Sequence, residues 1–247
     1  MTNMIEVCAG SYQDCLAAYH GGAKRVELNS ALSVGGLTPS LATLIRVKKE
    51  TDLKVICMVR PRAAGFCYDD EDFAIMMEDA QLFLEHGADG IAFGFLNEDA
   101  TIQEAQTKAM IELIHSYQKE AVFHRAFDVC PDAHKAIETL ISLHADRILT
   151  SGQEAKAMQG INLIQDLQAK YGEQIELLAG SGMNASNAME MITTTGIHQV
   201  HSSCKNYKTD TTTAKNNVSY AYLPEPHVND YDVVDVELVK KIVASVK

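Results

Sequence analysis

Residues 54–62 read KVICMVRPR, a mostly apolar run from Lys54 to Val59 that stops abruptly at the charged segment Arg60-Pro61-Arg62. This pattern recurs eight times along the chain. In each case a short apolar run ends in polar residues, and a helix-length amphipathic stretch follows. The eight runs are Ile5–Cys8, Arg25–Asn29, Lys54–Val59, Gly90–Phe93, Ala121–His124, Arg147–Leu149, Ile175–Ala179 and His198–His201. Eight strand–helix repeats predict an α/β fold, the (β/α)8 TIM barrel, which typically needs about 250 residues. The 247 residues of this chain therefore suffice for a single domain.

The segments between the runs show apolar residues at three-to-four spacing, which is typical of helices packed on one face. The predicted helices cover 11–21, 39–51, 69–87, 101–116, 131–144, 154–170 and 184–195. After the eighth strand the pattern breaks, because residues 205–231 are polar and aromatic without a helical period, and a helix returns only at 233–246. We expect 205–231 to be an irregular excursion that covers a second copy of the chain or the barrel mouth, with a disordered loop as the alternative. Its tyrosines favour the interface, and hence a homodimer or higher homo-oligomer.

Composition excludes several classes of protein. The net charge of −12 repels polyanions, and the basic residues are dispersed, so nucleic-acid binding is not expected. No apolar stretch approaches the roughly 20 residues that a membrane span needs, and the N-terminus lacks the pattern of a secretory signal. The six cysteines contain no C-x-x-C pair and resemble reduced thiols. These observations predict a soluble cytoplasmic protein.

Ionisable residues gather at the predicted strand exits, and in this fold the C-terminal rim is where sites are built. Glu6 and Glu27 lie on adjacent strands with inward parity. Two carboxylates that close must share a proton or be neutralised by a cation such as Arg60 or a metal. They are therefore candidate catalytic groups, and a structural ion pair inside the barrel is the alternative.

The segment Phe123-His124-Arg125-Ala126-Phe127-Asp128 closes the fifth strand with an imidazole, a guanidinium and a carboxylate. If Asp128 folds back over His124, the carboxylate orients the ring and raises its basicity, as a general base requires. The alternatives are a buried structural histidine and a surface ion pair between Arg125 and Asp128. We take His124 and Asp128 as candidate catalytic residues.

Further rim residues are suited to holding an anion. Arg60 shares parity with Met58 and is predicted to point inward as an anion clamp, whereas Arg62 has the alternative of a solvated loop position. Loops after strands seven and eight of such barrels often bind phosphate, although glycines also serve tight turns. The candidate substrate-binding residues are Arg60, Arg62, Arg125, Ser151, Gly180, Gly182 and His201.

Together these motifs resemble the CutC family, proteins named for copper homeostasis. The resemblance spans about residues 4–204 and is carried by Glu6-Val7-Cys8, 22–28 (GAKRVEL), 35–40 (GGLTPS), 58–62 (MVRPR), 123–128 (FHRAFD) and 147–152 (RILTSG). It implies a self-associating (β/α)8 barrel and copper ligands that are cysteines at the exits of strands one and two. The first position is Cys8 here, but the second is Asn29, a poor ligand for soft Cu(I). Cys204 is the alternative source of a second thiolate.

Three functional classes remain open from the sequence. The first is an enzyme of unknown reaction that acts on a small anionic substrate at the C-terminal rim. The second is a copper-homeostasis protein that binds Cu(I) through Cys8 without catalysis. The third is an oligomeric interaction module, which would leave the inward carboxylates without a purpose beyond ion pairing.

Overall fold

Eight parallel strands close into a barrel in the order of the sequence. The structure is a computed structural model, and it describes residues 3–247. The barrel strands are β1 (Met4–Ala9), β2 (Arg25–Leu28), β3 (Lys54–Met58), β4 (Gly90–Phe93), β5 (Glu120–Phe123), β6 (Arg147–Thr150), β7 (Glu176–Ala179) and β8 (Gln199–Ser202). Strand β8 pairs with β1 and places His201 opposite Glu6, which closes the ring. The predicted fold is confirmed.

Helices surround the barrel and connect its strands. They are α1 (Tyr12–His20), α2 (Leu41–Glu50), α3 (Asp70–Glu85), α4 (Glu104–Ser116), α5 (Ala133–Ser142), α6 (Ile161–Tyr171), α7 (Ala188–Thr195) and α8 (Val236–Ser245). Several helices begin at a side chain that accepts hydrogen bonds from backbone N–H groups of the first turn; examples are Asp69, Asp132 and Asp235. In residues 3–247, no helix is both long and apolar enough to cross a membrane.

The sixth helix differs from the prediction because it starts at Ile161, and residues 153–160 form a loop instead. The backbones of Gly152 and Gly160 meet so closely that a Cβ on Gly160 would lie 2.1 Å from the carbonyl oxygen of Ser151. This close approach folds the loop back on the exit of β6. It brings Lys156, which the sequence places in a helix, to the C-terminal end of the barrel.

The interior of the barrel is divided into an apolar half and a charged half. Ile56, Met58, Ala92 and Val122 form a small apolar cluster inside strands β3 to β5. The inward charged side chains come from β1, β2, β6 and β8; they are Glu6, Arg25, Glu27, Arg147 and His201, and all are buried. The charged side chains inside the strands therefore lie on one side of the barrel.

The excursion after β8 is more ordered than the sequence predicts. It contains no helix, as expected, but β9 (Lys205–Thr209) pairs antiparallel with β12 (Asp230–Val234), and β10 (Ala214–Lys215) with β11 (Val218–Ser219). The backbone N–H of Val234 donates to Asp14 of α1 over 2.8 Å. The β9–β12 ribbon is thus docked on the chain's own barrel, while Tyr220 beyond β11 is 81% exposed.

Candidate functional site

A cavity of about 530 Å³ opens at the C-terminal ends of the barrel strands. We call it the mouth. Its polar lining residues are Cys8, Glu27, Arg60, His124, Arg125, Asp128, Lys156, Ser181, Gly182, His201, Ser203 and Lys205. Most of the predicted rim residues are therefore brought together, whereas Glu6, Arg62, Ser151 and Gly180 do not line the mouth.

Glu27 and His201 form the acid–base pair of the mouth. The Nε2 atom of His201 lies 3.9 Å from Oε2 of Glu27, while its Nδ1 atom donates to Oε1 of Glu6 over 2.9 Å. Burial raises the pKa of Glu27, and the charge of His201 opposes this rise without cancelling it. Burial by contrast lowers the pKa of His201, but the hydrogen bond that the ring donates to Cys8 and the charge of Glu27 bring it well above its ordinary value. The ring is therefore an imidazolium held between two carboxyl groups.

Glu6 lies below this pair and holds a structural position. Its Oε2 atom is 2.5 Å from Nε of Arg25 and 3.8 Å from Arg147, whose guanidinium also pairs with Glu120 and Glu176. Burial raises the pKa of Glu6, but Arg25 and the hydrogen bond from His201 outweigh it and lower the pKa to about 2. The neutralising cations are thus two arginines deeper in the barrel and not Arg60, which the sequence offered as one candidate. A catalytic role for Glu6 stays a prediction, and its contact with the mouth is the hydrogen bond to His201.

Cys8 stands beside the same pair. One donor atom each from Cys8, Glu27 and His201 lie within 4.8 Å of one another, and this is the arrangement nearest to a metal site among residues 3–247. The side-chain amide of Asn29 donates to Oε2 of Glu27 over 2.9 Å and to Sγ of Cys8 over 3.7 Å. Cys204 lies outside this cluster and its thiol donates a hydrogen bond to the Ser202 hydroxyl, so it supplies no second thiolate there.

His124 lies on the other wall of the mouth, and its surroundings contradict the predicted general base. Its Nδ1 atom accepts a hydrogen bond from the backbone N–H of Ala126 over 3.1 Å, so the proton of the neutral ring is on Nε2. That nitrogen is buried without a hydrogen-bond partner among residues 3–247. Burial, together with the charge of Arg60, lowers the pKa of His124 to about 3. The ring is a neutral N–H donor and a very weak base.

Asp128 forms no hydrogen bond or ion pair with His124 within residues 3–247, which corrects the predicted orienting contact. Its carboxylate pairs with Nε of Arg125 at 2.7 Å and accepts hydrogen bonds from Thr150 and from the backbone and hydroxyl of Ser151. Arg125 also donates to the Ser151 hydroxyl over 2.7 Å. Asp128 is thus fully occupied in joining the exits of β5 and β6. Ser151, predicted to bind substrate, serves to hold Asp128.

Arg60 reaches the mouth as predicted, but most of its donors are already used. Its guanidinium donates to the carbonyl oxygens of Val34, Gly36 and Ala64 at 2.7–2.9 Å. Its hydrogen bond to the buried Tyr68 hydroxyl opposes the rise that burial gives to the pKa of that tyrosine. No carboxylate among residues 3–247 neutralises the guanidinium. Arg62, in contrast, is paired with Asp72 at the surface and does not line the mouth, so its substrate-binding role stays a prediction that this geometry does not favour.

The loops after β6 and β7 complete the positive side of the mouth. Gly182 lines it with a φ of +80°, and a Cβ there would lie 3.0 Å from Cδ of Lys156. Gly180 instead leaves space for the Leu149 side chain, since a Cβ at position 180 would lie 2.7 Å from Cδ1 of Leu149. Lys156 and Lys205 are lining residues that the sequence did not identify; lysines on surface segments carry no signal of their own.

Comparisons with known proteins agree with the fold and the motifs. The family model described as CutC family matches residues 3–206. A family protein CutC of Treponema denticola is 45% identical over 242 residues, 98% of each chain, and one of Bacteroides fragilis is 35% identical over 253 residues, 98% of this chain and 97% of that protein. A crystal structure described as a copper homeostasis protein CutC from Streptococcus agalactiae is 30% identical with a TM-score of 0.77, covering 82% of this chain and 99% of that one. Phosphoribosylanthranilate isomerase from Thermotoga maritima, at 12% identity and a TM-score of 0.56 over 100% of this chain and 98% of that one, shares the fold alone.

Proposed function

The chain belongs to the CutC family, and we propose that it is an enzyme that acts on a small anionic substrate in the mouth of its barrel. The observation that carries this proposal is the division of the mouth into two chemically different walls. One wall holds Glu27 and the imidazolium of His201, and the other holds Arg60 and the neutral ring of His124. A family named for copper homeostasis gives no reaction, so the residues must indicate it.

The charges of the mouth favour an anionic ligand. Arg60 has no carboxylate partner among residues 3–247, and Lys156 likewise forms no ion pair within that range. A cavity of about 530 Å³ falls in the usual size range of small-molecule sites, roughly 300–1,000 Å³. A metabolite with one or two acidic groups would neutralise these cations and fill the volume.

Glu27 is the group best placed to transfer a proton. Its buried carboxyl has a raised pKa, so both protonation states are accessible closer to neutral pH than for an ordinary glutamate. His201 positions it and supplies a fixed positive charge. Perturbed carboxyl groups in a cleft are characteristic of acid–base catalysis.

Turnover is the direct test of this proposal. Purified protein is incubated with a small-metabolite extract, and the mixture is profiled by mass spectrometry. We expect one anionic metabolite to be depleted and a product to appear, with the change abolished by Glu27→Gln. Glu98→Gln, an exposed glutamate in the loop after β4, is the matched control. Identical profiles with and without folded wild-type protein would contradict an enzymatic role.

Copper binding is the second candidate function, favoured by the proximity of donor atoms from Cys8, Glu27 and His201. The donor set does not fit a dedicated Cu(I) site, because Cu(I) prefers soft sulfur ligands and only one is present. Burial also raises the pKa of the Cys8 thiol, so forming the thiolate is costly. We therefore place copper second.

We also propose that the protein is cytoplasmic and forms a homodimer or higher homo-oligomer. All six cysteines are free, which suits a reducing compartment. Val218 of β11 and Tyr220 just beyond it are 56% and 81% exposed, and aromatic side chains such as tyrosine are enriched at protein–protein interfaces.

A further inference from the structure

The wall of the mouth formed by His124 and Arg60 contains a buried N–H group that no protein atom among residues 3–247 accepts. It is Nε2 of His124, in a side chain that is 3% exposed. The Arg60 guanidinium of the same wall is 5% exposed, and the buried Tyr68 hydroxyl is one of its hydrogen-bond partners. Leaving a buried donor unpaired costs about 1–3 kcal/mol, so an acceptor brought to His124 would be stabilising. The neutral ring nitrogen and the guanidinium only donate, which means that a ligand must bring an acceptor oxygen.

The structure also fixes the form of the His124 ring. The Ala126 amide occupies Nδ1, and Gly94 packs so closely that a Cβ there would lie 2.5 Å from Cε1 of the ring. The Phe66 ring lies against His124 with centroids 5.0 Å apart, and the Arg60 guanidinium lies 5.1 Å from the centre of the same Phe66 ring. The donor is thus held in place and cannot rotate away from the mouth without losing these contacts.

A neutral imidazole and an imidazolium differ in what they do to a bound oxygen. A neutral imidazole is a very weak acid, so it does not transfer its N–H proton to a substrate oxygen. Its N–H group still stabilises negative charge that develops on that oxygen. Triosephosphate isomerase, another (β/α)8 enzyme, uses a neutral histidine in this way to polarise a substrate carbonyl. A carbonyl or carboxylate oxygen is the acceptor that gains most from such a donor beside a guanidinium.

We propose that His124 and Arg60 receive a carbonyl or carboxylate oxygen of the substrate, so that the substrate class is small oxo or hydroxy carboxylic acids. This inference rests on the proposed function and specifies its ligand. His124 is then a catalytic residue that donates a hydrogen bond, while Glu27 and His201 on the opposite wall face the rest of the molecule.

Oxalate is the probe that tests this inference, because it is small and presents paired carboxylate oxygens. Protein labelled with 15N-histidine reports the tautomer, and the His124 signal is identified by its loss in His124→Phe. We expect the Nε2–H form, and we expect oxalate to shift its resonance. Oxalate affinity should fall about tenfold or more in His124→Phe, the loss of one hydrogen bond to a charged group. Arg62→Met, the surface arginine two residues from Arg60, should bind oxalate like the wild type.

The outcomes separate the two proposals. Oxalate binding that is equal in wild type and His124→Phe, or an Nδ1–H ring in the free protein, would overturn the role of His124 and leave the anionic site standing. If neither oxalate nor inorganic phosphate, pyruvate or citrate binds the folded wild type, the proposed function fails together with this inference.

Discussion

The backbone N–H of Ala126 donates to Nδ1 of His124, and this single contact decides that Nε2 is the ring nitrogen that carries the proton. Both residues lie on the same short turn after β5, so the sequence of the turn sets the chemistry of the ring. Burial and the charge of Arg60 then keep the ring neutral by lowering its pKa from 6.5 to about 3.

Stability in mild acid should depend on His124. In the folded protein His124 stays neutral down to about pH 3, whereas in the unfolded chain it takes up a proton below about 6.5. The stability that this difference contributes is complete above pH 6.5 and is lost as the pH falls toward 3. From His124 alone, the free energy of unfolding should fall by about 3 kcal/mol between about pH 7 and about pH 4.5.

Urea denaturation of wild type and His124→Phe at these two pH values measures the effect. The loss between the two pH values should be smaller in His124→Phe by that amount. Equal losses in the two proteins would mean that the pKa of His124 is the same in the folded and unfolded states, so that burial does not keep the ring neutral.

Gly94 leaves space for the His124 ring, so filling that space should disturb the ring. In Gly94→Ala the new Cβ would lie 2.5 Å from Cε1 and 2.7 Å from Nδ1 of that ring, so the ring must move. We expect a loss of about 1–3 kcal/mol in the free energy of unfolding and an altered His124 resonance. Gly65→Ala is the control, since a Cβ there would meet no atom within 4 Å. An unchanged His124 resonance in Gly94→Ala would show that the ring is not confined.

Copper should bind only weakly. With Asn29 where a second soft ligand is needed, Cys8 should bind Cu(I) too weakly to compete with a strong chelator under anaerobic reducing conditions. Copper content after competition is measured by atomic absorption for wild type and Cys8→Ser. Retention of one copper per chain by the wild type, lost in Cys8→Ser, would reverse the order of the two candidate functions. Cys67→Ser, at an exposed thiol outside the mouth, is the matched control.

Self-association should depend on the β10–β11 hairpin. Tyr207 stacks on His227 with ring centroids 3.7 Å apart and is covered by its own chain, whereas Tyr220 is 81% exposed. Tyr220→Ser should weaken the oligomer in sedimentation experiments, while Ile75→Ser, an exposed apolar residue on α3, should not. A wild type that sediments as a monomer at micromolar concentration would end this proposal.

The sequence predicts the barrel and several residues of both walls of the mouth because strand parity and strand exits are local patterns. Inward parity correctly places Glu27, Arg60, His124 and Cys8 at the same end of the barrel. The partners of Glu6 could also have been found, since Arg25 has the same parity as Glu27 on β2 and must point inward with it.

Other features of the site depend on contacts between distant segments. The carboxylate of Asp128 is held by Thr150 and Ser151, which belong to the next strand exit, and no spacing within the chain reveals that choice. Lys156 reaches the mouth only because the backbones of Gly152 and Gly160 meet and unwind the start of the predicted sixth helix. Tertiary packing therefore decides where the side chains of Asp128 and Lys156 lie.

A crystal structure of the protein grown with oxalate would show where an anion binds and which atoms hold it. We predict density for oxalate in the mouth, with one oxygen at about 2.7–3.1 Å from Nε2 of His124 and near the guanidinium of Arg60. Gly182 and Lys156 should border the same ligand. Oxalate bound only outside the mouth, or a mouth holding water alone at saturating oxalate, would contradict the proposed ligand site.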